Sequence, residues 1–174
     1  GRPGELFACH HADVSPDIMC VGKALTGGYM TLAATLVTDE IATDICRSKA
    51  GALMHGPTFM ANPLACSVAL ASIELLLSQD WQTRVQRMEQ QMCNELAGCR
   101  TLPIVHDVRV IGSIGVVELN GMELPPGLQQ KLVNEGVWLR PFRNLVYMIP
   151  PYVISEEQLS KLTAAVYRVL SQYS

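Results

Sequence analysis

The sequence predicts an α/β protein in which the end of a larger α/β layer is followed by a smaller α+β domain. Up to about residue 79, short apolar runs alternate with helical patterns, as in an α/β layer. After that point a helix, two strands, a short helix, a strand pair and a last helix follow. With 49% hydrophobic and 17% charged residues, the chain has enough apolar material for a sizeable core. The predicted parts are residues 1–79 and residues 80–174.

The first part contains two predicted strands, two helices and a long loop. The apolar run Ile18–Val21, bounded by proline and glycine, predicts a buried strand that ends near Lys23. The segment "TLAATLVT" predicts a second strand, after which Thr38 caps a helix. Asn62, followed by a proline, predicts the start of another helix. Because this helix is apolar nearly all round, we expect it to be buried on most sides.

The second part contains the clearer periodic patterns. Apolar residues at helical spacing predict an amphipathic helix that ends before Gly98, with the face Trp81, Val85, Met88, Met92 and Leu96. Strands are predicted at "DVRVIG", "IGVVEL", "VWLRPF" and "LVYMIP". A short helix between them presents Leu128, Leu132 and Val133. Ser155 and Gln158 predict a capping box for the last helix, with the face Leu159, Leu162, Ala165, Val166 and Val169.

Composition argues against several classes of function. A net charge of −3 gives no reason to expect nucleic acid or an anionic membrane as a partner. The sequence has no apolar run long enough for a membrane span. Six cysteines without a CxxC pair favour reduced thiols and a cytoplasmic location. Cys9, His10 and His11 are adjacent and no second pair completes a ligand set, so we expect no metal site.

Lys23 is the first candidate for chemistry. A lysine at a strand end most simply extends its ammonium group into solvent. Here, however, it lies between an apolar run and "ALTGG", where burial would free its amine as a nucleophile for aldehydes such as pyridoxal phosphate. The phosphate-binding P-loop pattern is excluded, because Asp17 occupies the position of its first glycine and Ala24 follows the lysine.

Arg140, Tyr147 and Thr58 are the other candidates, and each has a structural alternative. In a strand, Arg140 would share one face with Trp138 and Phe142, either as a stacked structural arginine or as a fork for a carboxylate. Tyr147 is either a core residue or a substrate contact. Thr58, in the loop "HGPTFM", either closes an ordinary turn or binds a phosphate oxygen.

Three motifs in order, "SPDIMCVGKALTGG", "HGPTFMANPLACSVALASIELL" and "VWLRPF…LVYMIPPYVI", resemble the class III pyridoxal-phosphate aminotransferases of fold type I. The resemblance covers nearly the whole chain. It implies a partial fold of this type, with residues 1–79 as the C-terminal part of the large cofactor-binding domain and residues 80–174 as the small domain. "MHGPTFMANPLAC" and "GVWLRPF" are similar to the members that act in biotin synthesis. Those members transfer an amino group from S-adenosylmethionine to 8-amino-7-oxononanoate.

The resemblance also implies roles for individual residues. Lys23 would be the lysine that forms a Schiff base with pyridoxal 5′-phosphate and then moves the proton during transamination. Thr58 would contact the cofactor phosphate across a homodimer interface, with Gly56 and Pro57 beside it. The implied substrate contacts are the carboxylate clamp Arg140, the pocket residues Tyr147 and Phe142, and Arg2. His55 and Gly56 would neighbour the phosphate site, and Gly56 is implied to line the substrate site as well.

The departures from the family pattern concern the N-terminal half and one turn. The resemblance implies that the aspartate facing the pyridine nitrogen and the glycine–serine phosphate turn lie upstream of residue 1, so we expect this chain alone to be inactive or nearly so. Arg143 stands where relatives commonly have glycine. Two alternatives therefore stay open. The first is another class III enzyme, acting on an ω-amino acid or using lysine as the donor, and the second is a non-catalytic domain that binds or dimerises.

Overall fold

The computed structural model describes residues 1–173, and the chain divides into two compact units. One unit is Cys9–Asp80, and the other combines Gly1–Ala8 with Trp81–Ser174. The first eight residues are therefore grouped with the C-terminal part, whereas the sequence pattern places them in the larger layer. The assignment of residues 1–79 and 80–174 to two domains stays a prediction.

The unit Cys9–Asp80 contains two strands and two helices. Its elements are β1 (Ile18–Val21), β2 (Ala34–Val37), α1 (Asp39–Arg47) and α2 (Pro63–Leu77). The strands form an antiparallel pair. Both predicted helix caps are confirmed: the Thr38 hydroxyl accepts a hydrogen bond from the Ile41 N–H at 3.5 Å, and Asn62 Oδ1 accepts from the Leu64 and Ala65 N–H groups at 3.0 and 3.3 Å.

The predicted burial of this unit is wrong for the described chain. On α2 only Ala65 and Ala69 are buried, whereas Leu70 and Leu75 are each more than 60% exposed. Strand β1 alternates between exposed and half-buried residues. Within residues 1–173 this unit has one two-stranded sheet, two α-helices and two short 3-10 helices, so it contains no further layer to cover these apolar faces.

The C-terminal unit has a three-stranded antiparallel sheet in the order β3-β4-β5 and three helices. Its elements are α3 (Trp81–Leu96), β3 (Val105–Ile111), β4 (Ile114–Leu119), α4 (Leu128–Asn134), β5 (Leu145–Met148) and α5 (Glu156–Leu170). All five residues predicted for the face of α3 are buried. The capping box of Ser155 and Gln158 is confirmed as well. On α4 the prediction holds for Leu128 and Leu132 but is wrong for Val133, which is 38% exposed.

One core holds this unit together. Helices α3 and α5 contact each other, and α3 also packs against β3 and β4. The fully buried side chains include Met92, Leu96, Val117, Val146 and Val166. Burial of this kind stabilises by roughly 1.5–3 kcal/mol per large side chain. This core supplies the rigid base from which the loops of the unit extend.

The strand predicted at "VWLRPF" is absent from the structure. Residues 137–141 have no regular secondary structure, and Phe142 makes only an isolated bridge with Leu145. Pro141 has no N–H group to donate to a ladder, which confines such a segment to an unpaired or edge position. The predicted alternation of buried and exposed side chains is nevertheless present, because Val137 and Leu139 are buried while Trp138 and Phe142 are exposed.

Two residues that are not glycine adopt a left-handed backbone at positions that concern the site. Lys23 has φ of 55° in a short 3-10 helix, Lys23–Thr26, directly after β1. Arg143 has φ of 52° in the turn between Phe142 and Leu145. A residue with a side chain pays roughly 1 kcal/mol in this region, where glycine is favoured. Glycine, which the family resemblance leads us to expect at the position of Arg143, would fit this conformation.

A polar cluster joins α3 to α5. The Glu95 carboxylate accepts hydrogen bonds from Ser160 at 2.5 Å, from Gln91 at 3.0 Å and from Thr163. Gln91 also donates to the Glu156 carbonyl at 2.8 Å. Burial alone raises the pKa of the Glu95 carboxyl, but the three hydrogen bonds outweigh it and hold that pKa below its ordinary value of 4.5.

All six cysteines are free, and only Cys99 is buried. Burial raises the pKa of the Cys99 thiol to about 11. Cys20, Cys46 and Cys93 are exposed. Among residues 1–173 no single helix is long and apolar enough to cross a membrane. Only α2 and the helical segment Trp81–Thr101, counted together across the break between them, have the required length and apolarity.

We predict that Glu95→Gln lowers stability at neutral pH by about 1–2 kcal/mol and weakens the loss of stability in acid. Because the folded pKa is depressed, the ionised carboxylate stabilises the protein fully above its unfolded pKa, and this stabilisation is lost as pH falls through the folded pKa. Thermal unfolding between pH 3 and pH 7 measures both effects. Glu89→Gln on the same helix is the control and should follow the wild-type profile. An unchanged acid profile in Glu95→Gln would contradict the assignment.

We also predict that Lys23→Gly is more stable than Lys23→Ala by about 1 kcal/mol. Both changes remove the amine, but only glycine relieves the backbone at φ of 55°. Urea unfolding of the two variants side by side measures the difference. Equal stability of the two variants would show that the backbone at this position carries no strain.

Candidate active site

The turn that carries Lys23 is anchored from within its own unit. The Leu25 N–H donates to the Gly22 carbonyl at 3.2 Å. The Thr26 side chain is buried, and its hydroxyl donates to the Met30 carbonyl. These contacts fix the backbone on both sides of Lys23 while its side chain is exposed.

The turn also packs closely against α2. A Cβ atom on Gly27, which has φ of 61°, would lie 3.2 Å from Ser72 Oγ, closer than nearly all real contacts of this kind. Ser72 belongs to α2, so the helix sets the position of the turn. The sequence pattern predicts a glycine loop here, and the structure explains why a side chain at Gly27 is disfavoured.

The expectation that Lys23 is held out of solvent is wrong for the described chain, because its side chain is exposed. The physical reason is its place on a turn beyond the end of a two-stranded sheet, where no other element of residues 1–173 covers it. What the structure does show is a primary amine on a rigid, left-handed turn. Such a turn costs free energy and is typical of functional positions.

Gly56, Pro57 and Thr58 lie in the long loop between α1 and α2 and are all exposed. The Met60 N–H donates to the Pro57 carbonyl at 2.9 Å, which closes a turn around Thr58. The Thr58 hydroxyl therefore extends from a defined turn. Phe59, beside it, is 82% exposed.

Arg140 extends from the segment that follows α4. The Val137 N–H donates to the Leu132 carbonyl at 3.1 Å, and Gln129 Nε2 donates to the Leu139 carbonyl at 2.6 Å. With Val137 and Leu139 buried, the exposed Arg140 is fixed at its backbone while its guanidinium remains accessible. Such a guanidinium can bind a carboxylate through two parallel hydrogen bonds.

Phe142 and Tyr147 lie on either side of the turn at Arg143. Phe142 is 58% exposed and exchanges two backbone hydrogen bonds with Leu145, both of 2.9 Å. Tyr147 is half-buried on β5, where it pairs with Val116 of β4. The Arg143 guanidinium lies 5.5 Å from the centre of the Phe142 ring.

Arg2 is held by uncharged groups of the C-terminal unit. Its Nη1 donates to the Ile149 carbonyl at 3.2 Å and to the Pro150 carbonyl. The guanidinium lies 5.1 Å from the centre of the Tyr152 ring. Burial raises the pKa of the Tyr152 hydroxyl, and the charge of Arg2 partly opposes this change.

The structure thus places the predicted residues in two groups. Lys23 and Thr58 belong to the unit Cys9–Asp80, with Gly56 and Pro57 beside Thr58. The C-terminal unit holds a second group, which consists of Arg2, Arg140, Phe142 and Tyr147. Sequence reasoning missed three supporting residues, namely Thr26, Ser113 and Gln129. Each of them donates a side-chain hydrogen bond to a backbone carbonyl, of Met30, Arg2 and Leu139 respectively, and the residue types carry no signal for these bonds.

The residues of the first group fit pyridoxal 5′-phosphate. Lys23 offers an accessible primary amine for the aldehyde, and Thr58 offers a hydroxyl and a turn for the phosphate. By contrast, the described residues contain no group of three or more His, Cys, Asp or Glu side chains arranged for a metal ion.

Sequence comparison supports the same chemistry. The family "Aminotransferase class-III" matches residues 1–170. The adenosylmethionine-8-amino-7-oxononanoate aminotransferase of Mycobacterium leprae is 55% identical over 170 residues, which cover 97% of this chain and 39% of that protein. The chain spans about two fifths of the length of three curated relatives that it matches (39%, 40% and 40%).

Solved structures agree. The crystal structure of adenosylmethionine-8-amino-7-oxononanoate aminotransferase from Methanocaldococcus jannaschii is 33% identical, with a TM-score of 0.84, over 99% of this chain and 43% of that one. An amine transaminase from an uncultivated Pseudomonas species, in its PLP-bound form, is 25% identical with a TM-score of 0.87, over 100% of this chain and 42% of that one. The predicted fold, a partial pyridoxal-phosphate transferase fold, is confirmed. The chain belongs to the class III aminotransferases, whose cofactor is pyridoxal 5′-phosphate.

Proposed function

We propose that this chain forms part of an enzyme that transfers the amino group of S-adenosylmethionine to 8-amino-7-oxononanoate, giving 7,8-diaminononanoate. The names of its relatives support this reaction, including the Mycobacterium leprae protein at 55% identity. The observation that carries the proposal is the rigid turn that presents Lys23, because an exposed amine on a strained backbone has no evident structural purpose.

Each proposed residue has a defined task. Lys23 Nζ would hold the aldehyde of the cofactor and, once the donor amine has released it, would carry the proton from the substrate Cα to the aldehyde carbon of the cofactor. Thr58 holds the phosphate of the cofactor that is bound to the other protomer of the homodimer, with its hydroxyl and turn, and Gly56 and Pro57 shape that turn. When bound, pyridoxal phosphate supplies an electron sink for the carbon that loses its proton.

The remaining residues orient the substrate. Arg140 binds the carboxylate of the keto acid with its guanidinium fork, and Phe142 and Tyr147 line the path of its alkyl chain. Arg2 adds a second positive charge near the substrate, and Gly56 allows close approach from the phosphate loop. These roles orient the reacting atoms and leave the proton transfer to Lys23.

We further propose that the active form is a cytoplasmic homodimer. The supporting observation is the apolar surface of the unit Cys9–Asp80, where Met54, Phe59 and Leu64 are 83%, 82% and 63% exposed. Exposed apolar surface of this extent is unusual for a monomer and is typical of surfaces that are covered in an assembly.

A second candidate keeps the chemistry and changes the amino donor or substrate. The structural similarity to an amine transaminase favours it. The two candidates differ in whether S-adenosylmethionine converts the bound cofactor to its amino form.

The first test identifies the lysine that binds the cofactor. Because the chain spans 39% of the Mycobacterium leprae relative, we suggest a chimera in which residues 1–170 replace the matching segment of that protein. Incubation with pyridoxal phosphate, reduction with borohydride and peptide mass spectrometry locate the modified residue. Among the four lysines of this chain, Lys23, Lys49, Lys131 and Lys161, we expect Lys23 to be preferred by about tenfold or more.

The control for this test is Lys49→Ala, since Lys49 is also exposed and lies in the same unit. This variant should be modified as the wild type is, whereas Lys23→Ala should lose both the modification and the conversion of the cofactor by S-adenosylmethionine. Labelling spread evenly over the four lysines would contradict the proposal and favour a non-catalytic domain.

The second test concerns Arg140. In the same chimera, Arg140→Ala should raise the KM for 8-amino-7-oxononanoate about 10- to 100-fold and change kcat little, because a charged hydrogen bond contributes roughly 1.5–3 kcal/mol. The control is Arg143→Ala, which removes a neighbouring exposed guanidinium and should change KM less than about threefold. An unchanged KM in Arg140→Ala would exclude the carboxylate clamp.

A further inference from the structure

The turn between β3 and β4 holds the N-terminal segment in place. Ser113, at this turn, is fully buried, and it directs two donors at one acceptor. Its backbone N–H donates to the Arg2 carbonyl at 2.8 Å, and its hydroxyl donates to the same oxygen at 3.2 Å. A buried serine that gives both donors to one distant carbonyl fixes the backbone at Arg2.

Gly112, the preceding residue, lets the segment approach this closely. A Cβ atom at this position would lie 2.4 Å from the Arg2 carbonyl oxygen and 2.4 Å from the Pro3 carbonyl carbon. Both neighbours are backbone atoms, so no side-chain rotation relieves the overlap. The residue also has φ of 54°. Any side chain at Gly112 therefore moves the N-terminal segment away from the turn.

The side chain of Arg2 is oriented by the same unit. Its Nη1 donates hydrogen bonds to the carbonyl groups of Ile149 and Pro150, which directly follow β5, and the Tyr152 ring lies beside its guanidinium. These partners carry no negative charge, so they orient the guanidinium without neutralising it. An oriented, exposed guanidinium with uncharged partners is suited to binding a carboxylate.

We propose that the turn at Gly112 and Ser113 is a positioning device that holds Arg2 in place for a substrate carboxylate. The proposal rests on the proposed function for the presence of that carboxylate, and on the contacts above for the positioning. Gly112 and Ser113 act through Arg2, so they are positioning residues. The ligand class is a small organic acid.

The experiment follows Arg2 directly in the 174-residue chain. Nitrogen-15 NMR of the arginine side chains reports the order of Arg2, and titration with heptanoate reports carboxylate binding. Hydrogen exchange at the Ser113 amide reports the hydrogen bond to Arg2. In Gly112→Ala we expect exchange at this amide to rise about tenfold or more. The Arg2 signal should then move to the position of a free arginine, and the response to heptanoate should be lost.

Gly121→Ala is the matched control. Gly121 also has a positive φ, of 86°, but a Cβ atom there would meet nothing within 4 Å. The two variants share the backbone penalty, and only Gly112→Ala displaces Arg2. Ser113→Ala is the second variant, in case Gly112→Ala fails to fold. It keeps the N–H and removes the hydroxyl, so its effect on Arg2 should be smaller and in the same direction.

The outcomes separate the two proposals. Loss of Arg2 order in Gly112→Ala or Ser113→Ala, with Gly121→Ala unchanged, supports the positioning role. Unchanged order in both variants, or equal loss in Gly121→Ala, overturns it. If Arg2→Ala responds to heptanoate as the wild type does, the contact between Arg2 and a carboxylate is excluded, whatever the turn does to Arg2.

Discussion

The left-handed backbone at Lys23 is the constraint on which the proposed chemistry depends. A φ of 55° is energetically unfavourable for lysine, yet the surrounding chain holds Lys23 in this conformation. The buried Thr26 closes the turn through the Met30 carbonyl, and Gly27 brings it against Ser72 of α2. The position of the amine is therefore set by a strand end, a turn and a helix together. A catalytic amine requires such fixation, because its nitrogen must meet one atom of a cofactor.

The two units differ in how far they satisfy their own apolar residues. The C-terminal unit has a continuous core between its sheet and helices α3 and α5. In the unit Cys9–Asp80, Ala65 and Ala69 are the buried apolar residues, while α2 exposes four leucines. The chain matches about 40% of the length of its relatives, and the exposed residues are those expected of a layer that packs against more protein. This contrast supports the view that the proposed activity needs more than the described residues.

Sequence reasoning was most successful where one local pattern decides the outcome. The periodic apolar face of α3 and the capping residues Asn62 and Ser155 were predicted because each depends on spacing within a few residues. It failed where the outcome depends on distant neighbours. The apolar run of α2 predicts burial, but burial requires a partner layer that residues 1–173 do not contain. The segment "VWLRPF" has the alternation of a strand, but no neighbouring strand pairs along it.

The same distinction applies to the candidate site. Lys23 was found because a lysine between an apolar strand and glycines is uncommon. Thr58 and Arg140 were candidates with structural alternatives, and their roles were assigned by resemblance. Their roles remain proposals. Thr26 supports the turn of Lys23, Gln129 supports the segment of Arg140, and Ser113 holds the backbone of Arg2. These three residues were missed, because their partners are backbone atoms up to 111 residues away in the sequence. Hydrogen bonds to backbone groups leave no mark on residue type beyond a polar side chain, so only the structure identifies them.

The most direct measurement is a crystal structure of the chimera described above, grown with pyridoxal phosphate. The account predicts continuous electron density from Lys23 Nζ to the aldehyde carbon of the cofactor, with the phosphate at Thr58 of the partner subunit. It would be contradicted by a cofactor bound elsewhere, or by a Lys23 amine that points into open solvent while the cofactor is present.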